Sequence, residues 1–118
     1  MLKTKNDNQV YIDGVSLQKI SEMHGTPCYI YSKNSLINEF EEYKKAFKNK
    51  QDILICYSVK ACSNLNILKI FNDLGSGFDI VSLGELERLK YIGADPKKIV
   101  FSGVAKSDEE IKASLEYG

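Results

Sequence analysis

The chain has 118 residues, with 16 basic and 16 acidic side chains and a formal net charge of +0. That length suits one small domain with its own core, and the charge balance gives no electrostatic case for nucleic acid or an anionic membrane as partner. The longest uninterrupted apolar run, Ile53 to Tyr57, is far short of a membrane span, and Met1 to Val10 is polar and mixed in charge without the apolar centre of a signal peptide, so a soluble cytoplasmic protein is expected.

The first region, up to about Tyr31, consists of short elements and turns. Val10–Ile12 alternates weakly and stops at Asp13-Gly14, a turn signal. Val15, Leu17, Ile20 and Met23 recur at helical spacing, which predicts a short helix from Ser16 to His24 closed by Gly25. Thr26-Pro27 breaks it, and Cys28–Tyr31 reads as a strand of aromatic and branched side chains.

The second region has a strand–helix rhythm. Asn34 can cap a helix with Leu36, Phe40, Tyr43 and Phe47 on one face and a solvated charge run on the other. Ile53–Val59 has the pattern of a strand buried on both sides, and a helix capped by Ser63 follows, with Leu65, Leu68 and Phe71 inward and Gly75 after its end. The unit then repeats: strand Phe78–Ser82, helix Leu83–Ile92, stop at Gly93, strand Ile99–Ser102. Ser107 and Glu110 form a capping box that opens a helix through Tyr117, and Gly118 stands at a C-cap position. Strands beginning roughly 20–25 residues apart suit β-α-β units in a parallel sheet. Three such strands cannot close a barrel, so the pattern fits either a small open α/β domain or the beginning of something larger.

Active sites of α/β folds lie at the C-terminal ends of the strands. Lys60 ends the first strand of the rhythm. A lysine buried there would have a lowered pKa and a nucleophilic amine able to form a Schiff base, but strands also end in lysines that reach out to solvent. Asp79 sits one residue into the second strand, where a buried carboxylate needs a partner, or else it is a turn residue just ahead of the strand. Ser58 and Ser82 can bind phosphate or a backbone carbonyl. Gly75-Ser76-Gly77 precedes a strand, whereas phosphate loops follow strands and open helices, so it reads as a helix end and turn. The cysteines, Cys28, Cys56 and Cys62, are odd in number and lack metal-site spacing, so they read as free thiols, and the single histidine, His24, reads as a helix-end or surface residue rather than a metal ligand. No metal site is expected.

Several motifs together carry a resemblance. Tyr57-Ser58-Val59-Lys60-Ala61 resembles the Y-A-x-K-A element of pyridoxal-phosphate (PLP) enzymes with the alanine-racemase-like barrel, a family that includes diaminopimelate, arginine and ornithine decarboxylases. Gly77-Phe78-Asp79-Ile80-Val81-Ser82 with Gly84-Glu85-Leu86 is similar to that family's G-F-D-x-x-S-x-x-E-L segment. Ile99-Val100-Phe101-Ser102-Gly103 with Lys106-Ser107-Asp108-Glu109-Glu110 resembles the next strand and helix, particularly in the diaminopimelate branch. Gly25-Thr26-Pro27 with Tyr29 and Tyr31 resembles the G-T-P-x-Y-x-Y segment that leads into the barrel. Ser58 and Cys62 depart from the commoner alanine and asparagine.

The resemblance implies an α/β fold: the first three βα units of a TIM (β/α)8 barrel in residues 32–118, preceded by a segment, residues 1–31, that belongs with a β-domain outside this chain. It implies PLP as cofactor, held in a Schiff base by Lys60 as the catalytic residue, with Asp79 near it as orienting or charge-balancing group and Ser58 also in the cofactor site. The implied reaction is decarboxylation of meso-diaminopimelate to L-lysine and carbon dioxide. The full-length enzyme is expected to be a homodimer. The 118-residue chain alone is expected to be an inactive fragment that self-associates. Two alternatives stay open: another PLP barrel decarboxylase, of the arginine, ornithine or carboxynorspermidine type, or a non-catalytic PLP-binding barrel protein.

Overall fold

The computed structural model describes residues 2–4, 9–50 and 52–118. Met1 and residues 5–8, part of the polar stretch noted above, lie outside the described residues. The chain divides into two compact units, residues 1–39 and 40–118, with the division falling inside one helix.

The first unit holds an antiparallel sheet of β1 (Leu2–Thr4), β2 (Val10–Ile12) and β3 (Val15–Ser16), followed by α1 (Leu17–His24). β1 was not anticipated, since a short stretch of mixed polarity carries no period-2 signal. Asp13-Gly14 joins β2 to β3 with both residues at positive φ, 48° and 84°, the twist a two-residue hairpin prefers. Asp13 also accepts hydrogen bonds from the Ser32 hydroxyl at 2.7 Å and the Asn34 amide at 3.0 Å. These bonds hold its carboxyl below the ordinary carboxylate range, the Asn34 amide contributing most. α1 ends at Gly25, φ 75°, as its spacing predicts.

α2 (Lys33–Ala46) starts two residues earlier than expected. Its cap is Ser32, whose Oγ accepts from the Ser35 amide, and not Asn34, whose amide is instead taken by Asp13. Residues 28–31 form no strand, contrary to the aromatic pattern. Tyr29 is 93% exposed, and no ladder partner exists for the segment among the described residues.

The second unit is a parallel sheet, β4 (Cys56–Ser58), β5 (Gly77–Ile80) and β6 (Ile99–Phe101), in that spatial order. The helices α3 (Leu65–Asp73), α4 (Leu83–Tyr91) and α5 (Asp108–Tyr117) follow β4, β5 and β6 in turn. Each strand is shorter than its apolar run. Ile53 and Leu54 are exposed ahead of β4, Val59–Ala61 forms a 3-10 turn after it, and Ser82 is the N-cap of α4. α3 is capped by Asn64, which accepts from the Asn66 and Ile67 amides, and not by Ser63. Asn64 is the better cap because its carbonyl reaches two of the orphan amides of the first turn.

The core lies on one face of this sheet. Phe78, Ile80, Leu68, Leu86, Leu89 and Val59 are fully buried, each side chain contributing roughly 1.5–3 kcal/mol of transfer free energy. Phe71 packs edge-on to Phe40 of α2 and stacks on Tyr57 of β4. Of the helix face read for α2, Phe40 is buried, while Tyr43 and Phe47 are exposed. The expectation of a strand buried on both sides at Ile53–Val59 also fails. Cys56 and Ser58 alternate with Tyr57, and Gly77 and Asp79 alternate with Phe78 and Ile80, so one face is apolar and packed and the other carries small and polar groups.

The capping box at Ser107 and Glu110 forms as predicted. Glu110 does more than cap its own helix, because one of its oxygens accepts from the amide of Leu83 at 3.0 Å, joining the N-termini of α4 and α5. The Ser107 amide first, and then that of Leu83, hold the Glu110 carboxyl below its ordinary range. A depressed carboxylate stabilises the fold above its unfolded pKa and loses that contribution as pH falls through the folded one. Glu110→Gln is therefore expected to lower the thermal unfolding midpoint near neutral pH. The gap to the parent protein should close as pH drops below the carboxylate range, and a gap independent of pH would contradict this role.

Candidate active site

The register of the parallel strands sets the site. Ser58 of β4 lies opposite Asp79 of β5, which lies opposite Val100 of β6. This row runs across the face of the sheet away from the packed side. Val100 is 51% exposed, so the face is open. The row behind it, Cys56 opposite Gly77, is closed by contact: a Cβ on Gly77 would stand 2.6 Å from the carbonyl oxygen of Lys98 and 2.7 Å from Cys56 Sγ. Burial, and then the charge of Asp79, push the pKa of the half-buried Cys56 thiol up.

Ser58 and Asp79 meet directly: the Ser58 hydroxyl donates to Asp79 Oδ2 at 3.5 Å. The other carboxylate oxygen, Oδ1, is buried and has no hydrogen-bond partner. An unpaired buried carboxylate oxygen is costly, and a donor or cation brought to this face would remove that cost. Asp79 thus lies within β5 at the open face and is not a turn residue ahead of it.

Lys60 follows at once, on the 3-10 turn Val59–Ala61. Its side chain is exposed and forms no ion pair or hydrogen bond among the described residues. The burial invoked for it from the sequence is absent, because the strand ends two residues earlier and the turn lifts Lys60 clear of the sheet. What the turn provides instead is a free amine at the C-terminal end of the strand row that carries Ser58 and Asp79. Ser82 resolves toward structure: its Oγ accepts from the Glu85 amide at 3.3 Å, while Glu85 accepts from the amide of Val81.

Two residues near Lys60 were not singled out by sequence reasoning. The Tyr57 hydroxyl donates to the carbonyl of Cys62 at 3.2 Å, and Arg88 Nη1 donates to that of Ser63 at 3.2 Å. Tyr57 stood inside the lysine motif without an assigned role. Arg88 lies 25 positions from its acceptor, and no local spacing signals such a bond.

Comparison with known proteins places the chain in a family. Residues 33–118 match the family model described as pyridoxal-dependent decarboxylase, pyridoxal binding domain. A diaminopimelate decarboxylase from Haemophilus influenzae is 50% identical over 109 residues, which are 92% of this chain and 26% of that protein. The structure of diaminopimelate decarboxylase from M. jannaschii in complex with L-lysine superposes with a TM-score of 0.94 at 34% identity, over 99% of this chain and 28% of that one. The Helicobacter pylori enzyme, also complexed with L-lysine, gives 0.79 at 44% identity, over 85% of this chain and 25% of that one. The chain therefore spans about a quarter of the length of these relatives. Its parallel sheet and helices are part of a barrel of that kind, and the α/β class expected from the sequence holds. Matched to that family over residues 33–118, the chain belongs to the pyridoxal-dependent decarboxylases, within their pyridoxal binding domain.

Proposed function

We propose that Lys60 is the residue that binds PLP covalently, that Asp79 and Ser58 complete its side of the cofactor site, and that the full-length protein decarboxylates meso-diaminopimelate to L-lysine. The observation that carries the site is the unpartnered Oδ1 of Asp79, buried on an open face in the row opposite Ser58, two residues before Lys60. The residues present fit the cofactor. Lys60 offers the amine, Asp79 offers an unsatisfied acceptor for a cationic or N–H group, and Ser58 holds the second carboxylate oxygen in place. Bound PLP supplies an electron sink for the electrons released when a carboxylate leaves. Lys60 would hold the cofactor through its Nζ and, when not so engaged, could carry protons there.

The choice of substrate rests on the relatives, several of which are named diaminopimelate decarboxylase at 43–50% identity. A homodimer and a cytoplasmic location belong to the same reading, and so does the assignment of residues 1–31 to a β-domain. The three cysteines are free, which suits a reducing compartment. The test is direct: full-length protein with PLP should release L-lysine and carbon dioxide from meso-diaminopimelate and leave arginine and ornithine unchanged. Turnover of arginine or ornithine instead would move the assignment to another branch of the family.

The isolated 118-residue chain is expected to self-associate. Among the described residues β4 and β6 each pair on one side only, and Val100, Tyr43, Phe47 and Leu115 are exposed. Light scattering at micromolar concentration should show species larger than the 13.3 kDa monomer. A monodisperse monomer with cooperative unfolding would contradict this.

A further inference from the structure

We infer that Tyr57 and Arg88 are positioning residues for Lys60, a role that rests on the reading of Lys60 as the cofactor lysine. Lys60 has no side-chain partner among the described residues, so the backbone of its turn sets where the amine can reach. That turn is a three-residue 3-10 helix, whose own hydrogen-bond geometry is poor. It is held from outside. Val59, just before Lys60, is fully buried. The Tyr57 hydroxyl holds the carbonyl of Cys62 just after the turn, and Arg88 holds the next one, that of Ser63. Neither brace is loose at its own base. The Tyr57 ring stacks on Phe71 of α3, with centroids 4.2 Å apart and planes 18° off parallel. Arg88 belongs to α4, the helix that directly follows the strand bearing Asp79. The turn is thus tied to its own βα unit through Tyr57 and to the Asp79 unit through Arg88, so the amine and the carboxylate share one frame.

Positioning matters for the bond that Lys60 makes. Its amine attacks the aldehyde carbon of PLP, a C=N bond forms, and the aldehyde oxygen leaves as water with the two protons of the amine. Small misplacement of a reacting atom slows such a step, while binding of the rest of the molecule is untouched. Full-length protein freed of cofactor separates the two effects. PLP is mixed in and the absorbance change of lysine linkage is timed, while affinity is measured for pyridoxamine 5′-phosphate, which has no aldehyde to react. Tyr57→Phe keeps the ring and its stack but removes the hydroxyl, and should slow linkage about fivefold. Arg88→Met should slow it about twofold, the bond being exposed, and Arg88→Lys should recover part of that loss. Affinity for pyridoxamine 5′-phosphate should stay within about twofold in each variant, as expected where no contact to the cofactor is lost. Parent-like linkage rates in both Tyr57→Phe and Arg88→Met, or equal weakening toward both cofactor forms, would overturn the role. Borohydride trapping of the parent protein distinguishes the deeper failure: a label on a lysine other than Lys60 removes the reading of Lys60 itself, whereas a label on Lys60 with unchanged variant rates removes only the braces.

Discussion

Lys60→Ala is expected to lower decarboxylation by at least about a thousandfold, the range lost when a group that acts both as nucleophile and as proton carrier is removed. The fold should not notice. Lys60 is exposed on its turn and has no side-chain partner among the described residues, so the unfolding free energy of the cofactor-free protein should change by less than about 0.5 kcal/mol. The measurement is a pair on full-length protein: turnover of meso-diaminopimelate with PLP added, and thermal unfolding with the cofactor removed. Loss of both together would mean that Lys60 is a structural residue, and loss of neither that the chemistry lies elsewhere.

Gly77→Ala should show the opposite split. The added Cβ would meet Lys98 O at 2.6 Å, Cys56 Sγ at 2.7 Å and Leu54 Cδ2 at 2.9 Å. The first of these is backbone and cannot swing away, because Phe78 of β5 is in register with Ile99, the residue after Lys98. Relief requires β5 and β6 to move apart where they are bonded, and overpacking of this kind costs about 1–3 kcal/mol. Gly77 lies behind the Ser58–Asp79 row and touches no group proposed to act. The expected result is a lower unfolding midpoint with turnover per folded molecule retained, read by denaturant unfolding and active-site titration. An unchanged midpoint would show that the strands have slack here, which the short contacts deny.

The sequence and the structure agree wherever the signal is local. Asp13-Gly14, Gly25, Gly75 and Gly93 stand at positive φ where the turns and helix ends were expected, and Ser107 caps with Glu110 as its spacing foretells. These features need only a few neighbouring residues to be decided. Strand limits and faces were less legible. Ile53 and Leu54 extend an apolar run beyond the residues that pair, since a run records hydrophobicity and not the length of the partner strand. Cys56 is small enough to pass for core on either face, which hid the alternation that leaves Ser58 and Asp79 on the open side. Cys28–Tyr31 has the composition of a strand, but composition cannot supply the ladder it would join.

The candidate site is legible through its motif more than through its physics. The motif points to Lys60, whereas burial does not, because the 3-10 turn exposes its side chain. The meeting of Ser58 with Asp79 depends on the register of two strands 21 residues apart, and the ties from Glu110 to Leu83 and from Arg88 to Ser63 span 27 and 25. Spacing rules reach about four residues along a helix and two along a strand, so contacts of this range become visible only when the chain is folded.

The proposal that Lys60 carries the cofactor is tested most directly by reducing the full-length protein with borohydride in the presence of PLP and mapping the labelled peptide. The account predicts a single pyridoxyl group on Lys60, in the peptide containing Tyr57-Ser58-Val59-Lys60-Ala61. A pyridoxyl group on any other lysine, with Lys60 unmodified, would contradict it.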